Sequence, residues 1–133
     1  MRRLLPVLAI AIAAAACAGT VADDPTTTIS GDGCADVVTA EATAEGDGTW
    51  RFEVTVASAD TGWEKYADAW EVRLPDGTVA GTRELAHPHV EEQPFTRSLS
   101  GVPIPNGVAS VTVAARDSVA GFCGSTVEVD LKP

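Results

Sequence analysis

Both histidines of the chain lie in the segment ELAHPHVEEQPFTR, residues 84–97, as His87 and His89 on either side of Pro88, with Glu84, Glu91, Glu92 and Arg97 close by. Pro88 sets its own φ near −65° and pushes His87 toward extended geometry. In an extended chain, residues two apart project to the same side. Two imidazoles so placed could ligate copper or zinc, with Glu91, or else Glu84 or Glu92, adding an oxygen ligand. A His-x-His pair alone has no third fixed ligand, and the only methionine is Met1. The expectation that weighs more is therefore a polar loop, with no cofactor, whose histidines hydrogen-bond to backbone or pair with carboxylates.

Arg97 raises a second question. In FTRSL it alternates with Phe95 and Leu99, on the face expected to point inward. A buried guanidinium without carboxylate partners is costly. Glu92 and Asp117 are the expected partners, and such a network would anchor the loop before Arg97. The alternative is a bulge at Pro94 that turns Arg97 to solvent. A third group is aromatic. GWEKYADAW, residues 62–70, supplies Trp63, Tyr66 and Trp70. Trp70 suits a core position, whereas Trp63 and Tyr66 fall in the preceding loop. They are expected to fold back over the core, the alternative being a binding surface that stacks on a sugar ring or a partner protein.

Catalytic patterns are missing from the sequence. It has no GxSxG elbow and no glycine-rich phosphate loop. Carboxylate pairs are too common among 19 acidic residues to single out an acid–base pair. No catalytic residue is assigned, and the expectation is a non-enzymatic protein.

The elements that position these residues begin after an export segment. MRRLLPVLAIAIAAAACAG opens with Arg2 and Arg3, continues as an uncharged apolar run from Leu4 to Ala16, and ends in small residues. This is the layout of an export signal, and it is shorter than the roughly 20 apolar residues of a membrane span. Cys17, after Ala14-Ala15-Ala16 and before Ala18-Gly19, resembles the lipobox cysteine of bacterial lipoproteins, which takes a lipid after cleavage just before it. That group carries Leu or Val where this chain has Ala14. Ordinary cleavage after Ala14-Ala15-Ala16 or Thr20-Val21-Ala22 is the alternative. Residues 1–17 are thus read as export signal with lipobox, 18–33 (Thr-, Asp- and Gly-rich, with Pro25) as a flexible tether, and 34–133 as one domain with one core.

Without residues 1–16 the chain keeps 7 basic against 19 acidic residues, a net charge of −12. That balance disfavours nucleic acid and anionic lipid at long range. The expected partner is an envelope protein or a small ligand, and the expected contact with a membrane is the lipid anchor alone. Setting Cys17 aside leaves Cys34 and Cys123, an even pair in an exported chain, expected to form a disulfide.

From Val37 onward the apolar residues alternate. VVTAEATAE places Val38, Ala40, Ala42 and Ala44 on one face. WRFEVTVA places Phe52, Val54 and Val56 together, and WEVRL does the same with Trp70, Val72 and Leu74. TVAGTREL suggests a short edge strand and FTRSLS a weaker one. SVTVAAR aligns Val111, Val113 and Ala115, and STVEVDL aligns Val127, Val129 and Leu131. GDG at 46–48, PDG at 75–77 and IPNG at 104–107 supply turns. Strict period two, with no convincing 3.6 period, means antiparallel sheets with one buried face. Seven such strands imply an all-β fold, an antiparallel sandwich of the immunoglobulin or fibronectin type III kind, with a small barrel as runner-up. In such sandwiches the first and last strands often run parallel side by side. Cys34, before the first strand, and Cys123, at the start of the last, would then meet at one end.

The run HPHVEEQPFTRSLSGVPIP…VTVAARDSVAGFCG, within residues 87–124, resembles small exported bacterial proteins of unknown function. These pair an HPHxxEQPFTR segment with a later Arg-x-Asp-Ser stretch and a glycine-rich turn. The matching pieces here are His87 to Arg97, Arg116 to Ser118, and Gly121 to Gly124. The resemblance implies no activity. Where that group has Tyr-Gly-Gly this chain has Phe122-Cys123-Gly124, a departure in keeping with an added disulfide. The function expected is a binding or structural role in the cell envelope, lipid-anchored or else periplasmic or extracellular. The alternative is an exported copper- or zinc-binding protein using His87 and His89. The surface to examine is the 84–97 loop with the 117–124 turn.

Overall fold

The computed structural model describes residues 33–132. The export segment, Cys17 and the tether up to residue 32 lie outside the described residues. Seven strands follow in order: β1 (Asp36–Ala44), β2 (Thr49–Ala57), β3 (Ala67–Arg73), β4 (Val79–Glu84), β5 (Phe95–Pro103), β6 (Ser110–Asp117) and β7 (Val127–Asp130). They form two antiparallel sheets, β1-β2-β5 and β4-β3-β6-β7, with no helix among the described residues. The fold is the expected immunoglobulin/fibronectin III-like sandwich. Its fourth strand pairs with β3 rather than β5, which makes the division three plus four.

Two of the hairpins repeat one local solution. Asp47-Gly48-Thr49 and Asp76-Gly77-Thr78 each put glycine at a φ of 85° and 89°, a region that side chains resist. Each aspartate then accepts the threonine amide, Thr49 N to Asp47 Oδ1 at 3.1 Å and Thr78 N to Asp76 Oδ1 at 2.9 Å. These bonds favour the charged carboxylate. The Thr49 hydroxyl and amide hold Asp47 below its ordinary 3.8, and the Thr78 amide and hydroxyl do the same for Asp76.

The alternating residues fill the space between the sheets. Phe52, Val54 and Val56 of β2 meet Trp70 and Val72 of β3, Val111, Val113 and Ala115 of β6, and Val129 of β7. Burial of one such aliphatic or aromatic side chain contributes about 1.5–3 kcal/mol. Four strands depart from simple alternation. In β1 the buried valine is Val37, not Val38, because the register slips between Val37 and Thr39; such a bulge reverses which parity faces inward. In β5 the buried residues are Phe95 and Val102, with a register slip opposite Trp50 and Phe52. In β3, Ala69 is buried on the outer face, as is Ala114 of β6. Phe122 lies over that outer face, with the guanidinium carbons of Arg73 and Arg116 at 4.6 and 6.0 Å from its ring centre.

Cys34 and Cys123 are bonded, with Cα atoms 5.4 Å apart. The route differs from the expected one. The starts of β1 and β7 do share an end, but the strands belong to different sheets, and Cys123 stands four residues before β7. The last loop is instead tied to the start of β1: Val37 N donates to Ser125 O (2.8 Å), and Ser125 N donates to Asp36 Oδ1 (2.6 Å). Gly124 permits this, since a Cβ there would collide with the Ala35 carbonyl oxygen.

Because the disulfide spans 89 residues, its removal relaxes mainly the unfolded chain. Cys34→Ala/Cys123→Ala is expected to lower unfolding free energy by about 2–5 kcal/mol in urea denaturation. An unchanged midpoint would show that the bond constrains nothing.

Candidate functional site

Strands β2, β4 and β6 end at one pole of the sandwich, where β1, β3, β5 and β7 begin. The loops 58–66, 85–94 and 118–126 therefore meet there. Loops normally satisfy their polar groups with water, but this pole uses a buried carboxylate. Asp60 Oδ1 accepts the Ser58 hydroxyl (2.6 Å) and the Ala67 amide (2.9 Å), and its Oδ2 accepts the His89 amide (2.9 Å). Gln93 adds a second tie, donating Nε2 to His89 O at 2.8 Å and accepting Ser58 N on Oε1 at 3.0 Å. One aspartate and one glutamine thus fasten the 85–94 loop to the 58–66 loop.

Those ties place the imidazoles. His89 is only 4% exposed and lies flat on Phe95, with ring centres 3.8 Å apart and planes 10° apart. His87 covers it from a ring distance of 4.5 Å. Arg97 Nη2 stands 2.8 Å from His89 Nε2. A guanidinium can only donate, so Nε2 must accept and the ring proton sits on Nδ1. That Nδ1 is one of three buried side-chain atoms without a hydrogen-bond partner among the described residues, with Trp70 Nε1 and Arg83 Nε. Burial, then the Arg97 and His87 charges, hold the His89 pKa below its ordinary 6.5, against weaker pulls from Glu92 and Asp60. His89 is a neutral, stacked structural ring.

This geometry does not suit the metal ligand set of His87, His89 and Glu91. One His89 nitrogen faces a guanidinium, the other is sealed and protonated, and Glu91 is exposed. Among the described residues no group of three or more His, Cys, Asp or Glu is placed to hold a metal ion.

The expected network of Glu92, Arg97 and Asp117 divides in two. Arg97 is not buried. Its side chain is 29% exposed, lies 3.6 Å from Glu92 and donates to Thr96 O, and its closest side-chain partner is His89. Asp117 instead pairs with Lys65 at 2.6 Å and accepts the Val119 and Ala120 amides on Oδ2. Burial pushes Asp117 up, but Lys65 and those amides outweigh it and leave the carboxyl below 3.8. Lys65 Nζ also donates to Gly33 O at 2.5 Å, so one ammonium joins the start of the domain to the end of β6. Ser118 completes the link, exchanging bonds with the Tyr66 amide and carbonyl.

Trp63 does not fold over the core. It is 70% exposed and stands edge-to-face with Tyr66, at 5.7 Å between ring centres. Val119 is 69% exposed and Val90 52%. Sequence reasoning missed Asp60, Gln93 and Lys65. Gln93 lay inside the segment already singled out, and Lys65 is one of two lysines in the chain. Asp60 carries no local mark.

Over 96 residues, 72% of this chain, the sequence is 36% identical to a curated protein of Halomicrobium mukohataei named "Putative lipoprotein". The matched part is 47% of that protein, so the chain spans about half the length of this relative. No family model matches the chain, and no solved structure matches it.

Asp60→Ala leaves the Ala67 and His89 amides buried without an acceptor, and is expected to cost about 3 kcal/mol in chemical denaturation; a loss near zero would refute the knot. The folded His89 pKa lies below 6.5, so its contribution to stability is complete above pH 6.5 and is lost as pH falls from there through the lowered value. His89→Gln should therefore show a flatter fall in melting temperature below pH 6.5 than wild type, whereas parallel curves would contradict the assignment. Calorimetric titration with Cu²⁺ and Zn²⁺ should give the same heats for wild type and His87→Ala/His89→Ala. Micromolar binding lost in the double variant would restore the metal reading.

Proposed function

We propose that this chain is an exported, lipid-anchored β-sandwich of the cell envelope with a non-enzymatic binding or structural role, and that the loop pole is its contact surface. The carrying observation is Trp63, a mostly exposed indole on a loop held by Asp60 on one side and by the Tyr66–Ser118 bonds on the other. A large aromatic presented without loss of backbone freedom is the usual centre of a contact surface. The export segment with Cys17, the disulfide and the likeness to a protein named as a lipoprotein support the anchored location. The net charge of −12 favours an envelope protein or small ligand over nucleic acid.

Mass spectrometry of the protein taken from the envelope tests the anchor. The expected result is a mature chain beginning at Cys17 with an added lipid mass, partitioning into detergent, and a Cys17→Ser chain that stays in the aqueous phase. A mature amino terminus elsewhere, without lipid, would overturn the anchored reading.

A further inference from the structure

The loop pole is also the end at which the chain enters the sandwich. Gly33 O is held by Lys65, and the next residue, Cys34, is bonded to Cys123 in the 118–126 loop. The turns at 45–48, 74–78 and 104–109 lie at the opposite end. Cys17 stands sixteen positions before Gly33. The flexible tether expected from the sequence would span about 22 Å on average at that length, whereas a nine-residue strand such as β2 runs roughly 30 Å. A lipid on Cys17 therefore tethers the loop pole, and not the far pole, near the bilayer.

The same pole carries the exposed apolar side chains. Of the five large hydrophobic residues that stand exposed among the described residues, Trp63, Val90, Val119 and Phe122 belong to its loops, and only Val79 lies elsewhere. Phe122 is drawn back between Arg73 and Arg116. Trp63, Val90 and Val119 remain, one from each loop.

We propose that the loop pole rests on the bilayer that carries the anchor, with Trp63, Val90 and Val119 in the boundary between headgroups and acyl chains. This rests on the lipid-anchored reading, and it adds a protein–lipid contact where the sequence led us to expect the anchor alone. An indole suits that boundary because its ring is apolar and its N–H stays hydrated. Three side chains give a weak contact by themselves, but tethering makes the encounter intramolecular and keeps it populated. Charge sets the lipid class. Glu64 follows Trp63, and Glu91 and Glu92 follow Val90, while Lys65 is taken by Asp117 and Arg97 stands beside Glu92. The rim is acidic, so the surface fits zwitterionic headgroups and is repelled by anionic ones, most at low salt.

Envelope-extracted lipidated protein, reconstituted into phosphatidylcholine vesicles with or without brominated acyl chains, tests this by flotation and tryptophan emission. Trp70 is fully buried, and Trp50 packs against the core at the far end. Trp63→Phe, at an exposed position, should fold with an unchanged urea midpoint. The expected result is flotation of both proteins, with a bromine-dependent loss of emission in wild type that is absent from Trp63→Phe and smaller when phosphatidylglycerol is added. Flotation with no bromine-dependent loss, or with equal loss in both proteins, would overturn the contact and leave the anchor standing. Failure of the wild type to float would overturn anchor and contact together.

Discussion

The Asp60 carboxylate is the constraint on which the loop pole depends. It is buried, and it takes its three hydrogens from Ser58, Ala67 and His89, that is, from the end of one strand, the start of the next, and a loop 29 residues further on. A buried acceptor with such partners gains from each, and each partner would be costly to strand. The sandwich core explains why two sheets pack. Asp60 explains why loops that sheet packing leaves free converge on one arrangement, with His89 pressed on Phe95 and Trp63 held outward.

A second junction closes the pole from the other side. Lys65 joins Gly33 to Asp117, the disulfide joins Cys34 to the 118–126 loop, and Asp36 receives Ser125. The first and last strands, which no ladder pairs, are thereby fixed to one another across the two sheets. The two junctions respond to acid in separate windows. The neutrality of His89 is challenged below pH 6.5, whereas the depressed carboxyl of Asp117 keeps its lysine until the pH falls past 3.8.

The strands were legible because alternation is a direct consequence of a pleated backbone with one wet face: Phe52, Val54 and Val56, or Val111, Val113 and Ala115, can be buried together in only one register. The cysteine pair was legible because two cysteines in an exported chain have few other fates. What escaped has physical reasons. A one-residue bulge near Val38 reverses the parity of β1 without altering its composition. Lys65 sits in a loop, yet its flexible stem reaches a carboxylate 52 residues away. Asp60 resembles any other acidic residue of an acidic chain until the folded backbone brings an amide from each side. Arg97 keeps Glu92, the carboxylate its charge points to, but it also donates to the neutral His89 imidazole, a partner that no charge argument singles out.

Amide hydrogen exchange measures the central claim most directly. If Asp60 ties the pole together, the Ala67 and His89 amides exchange as slowly as those of the β2 and β6 core, and both become fast together in Asp60→Ala while the core strands stay protected. Rapid exchange at His89 in the wild-type protein, comparable to that of the exposed turn at Gly77, would contradict it.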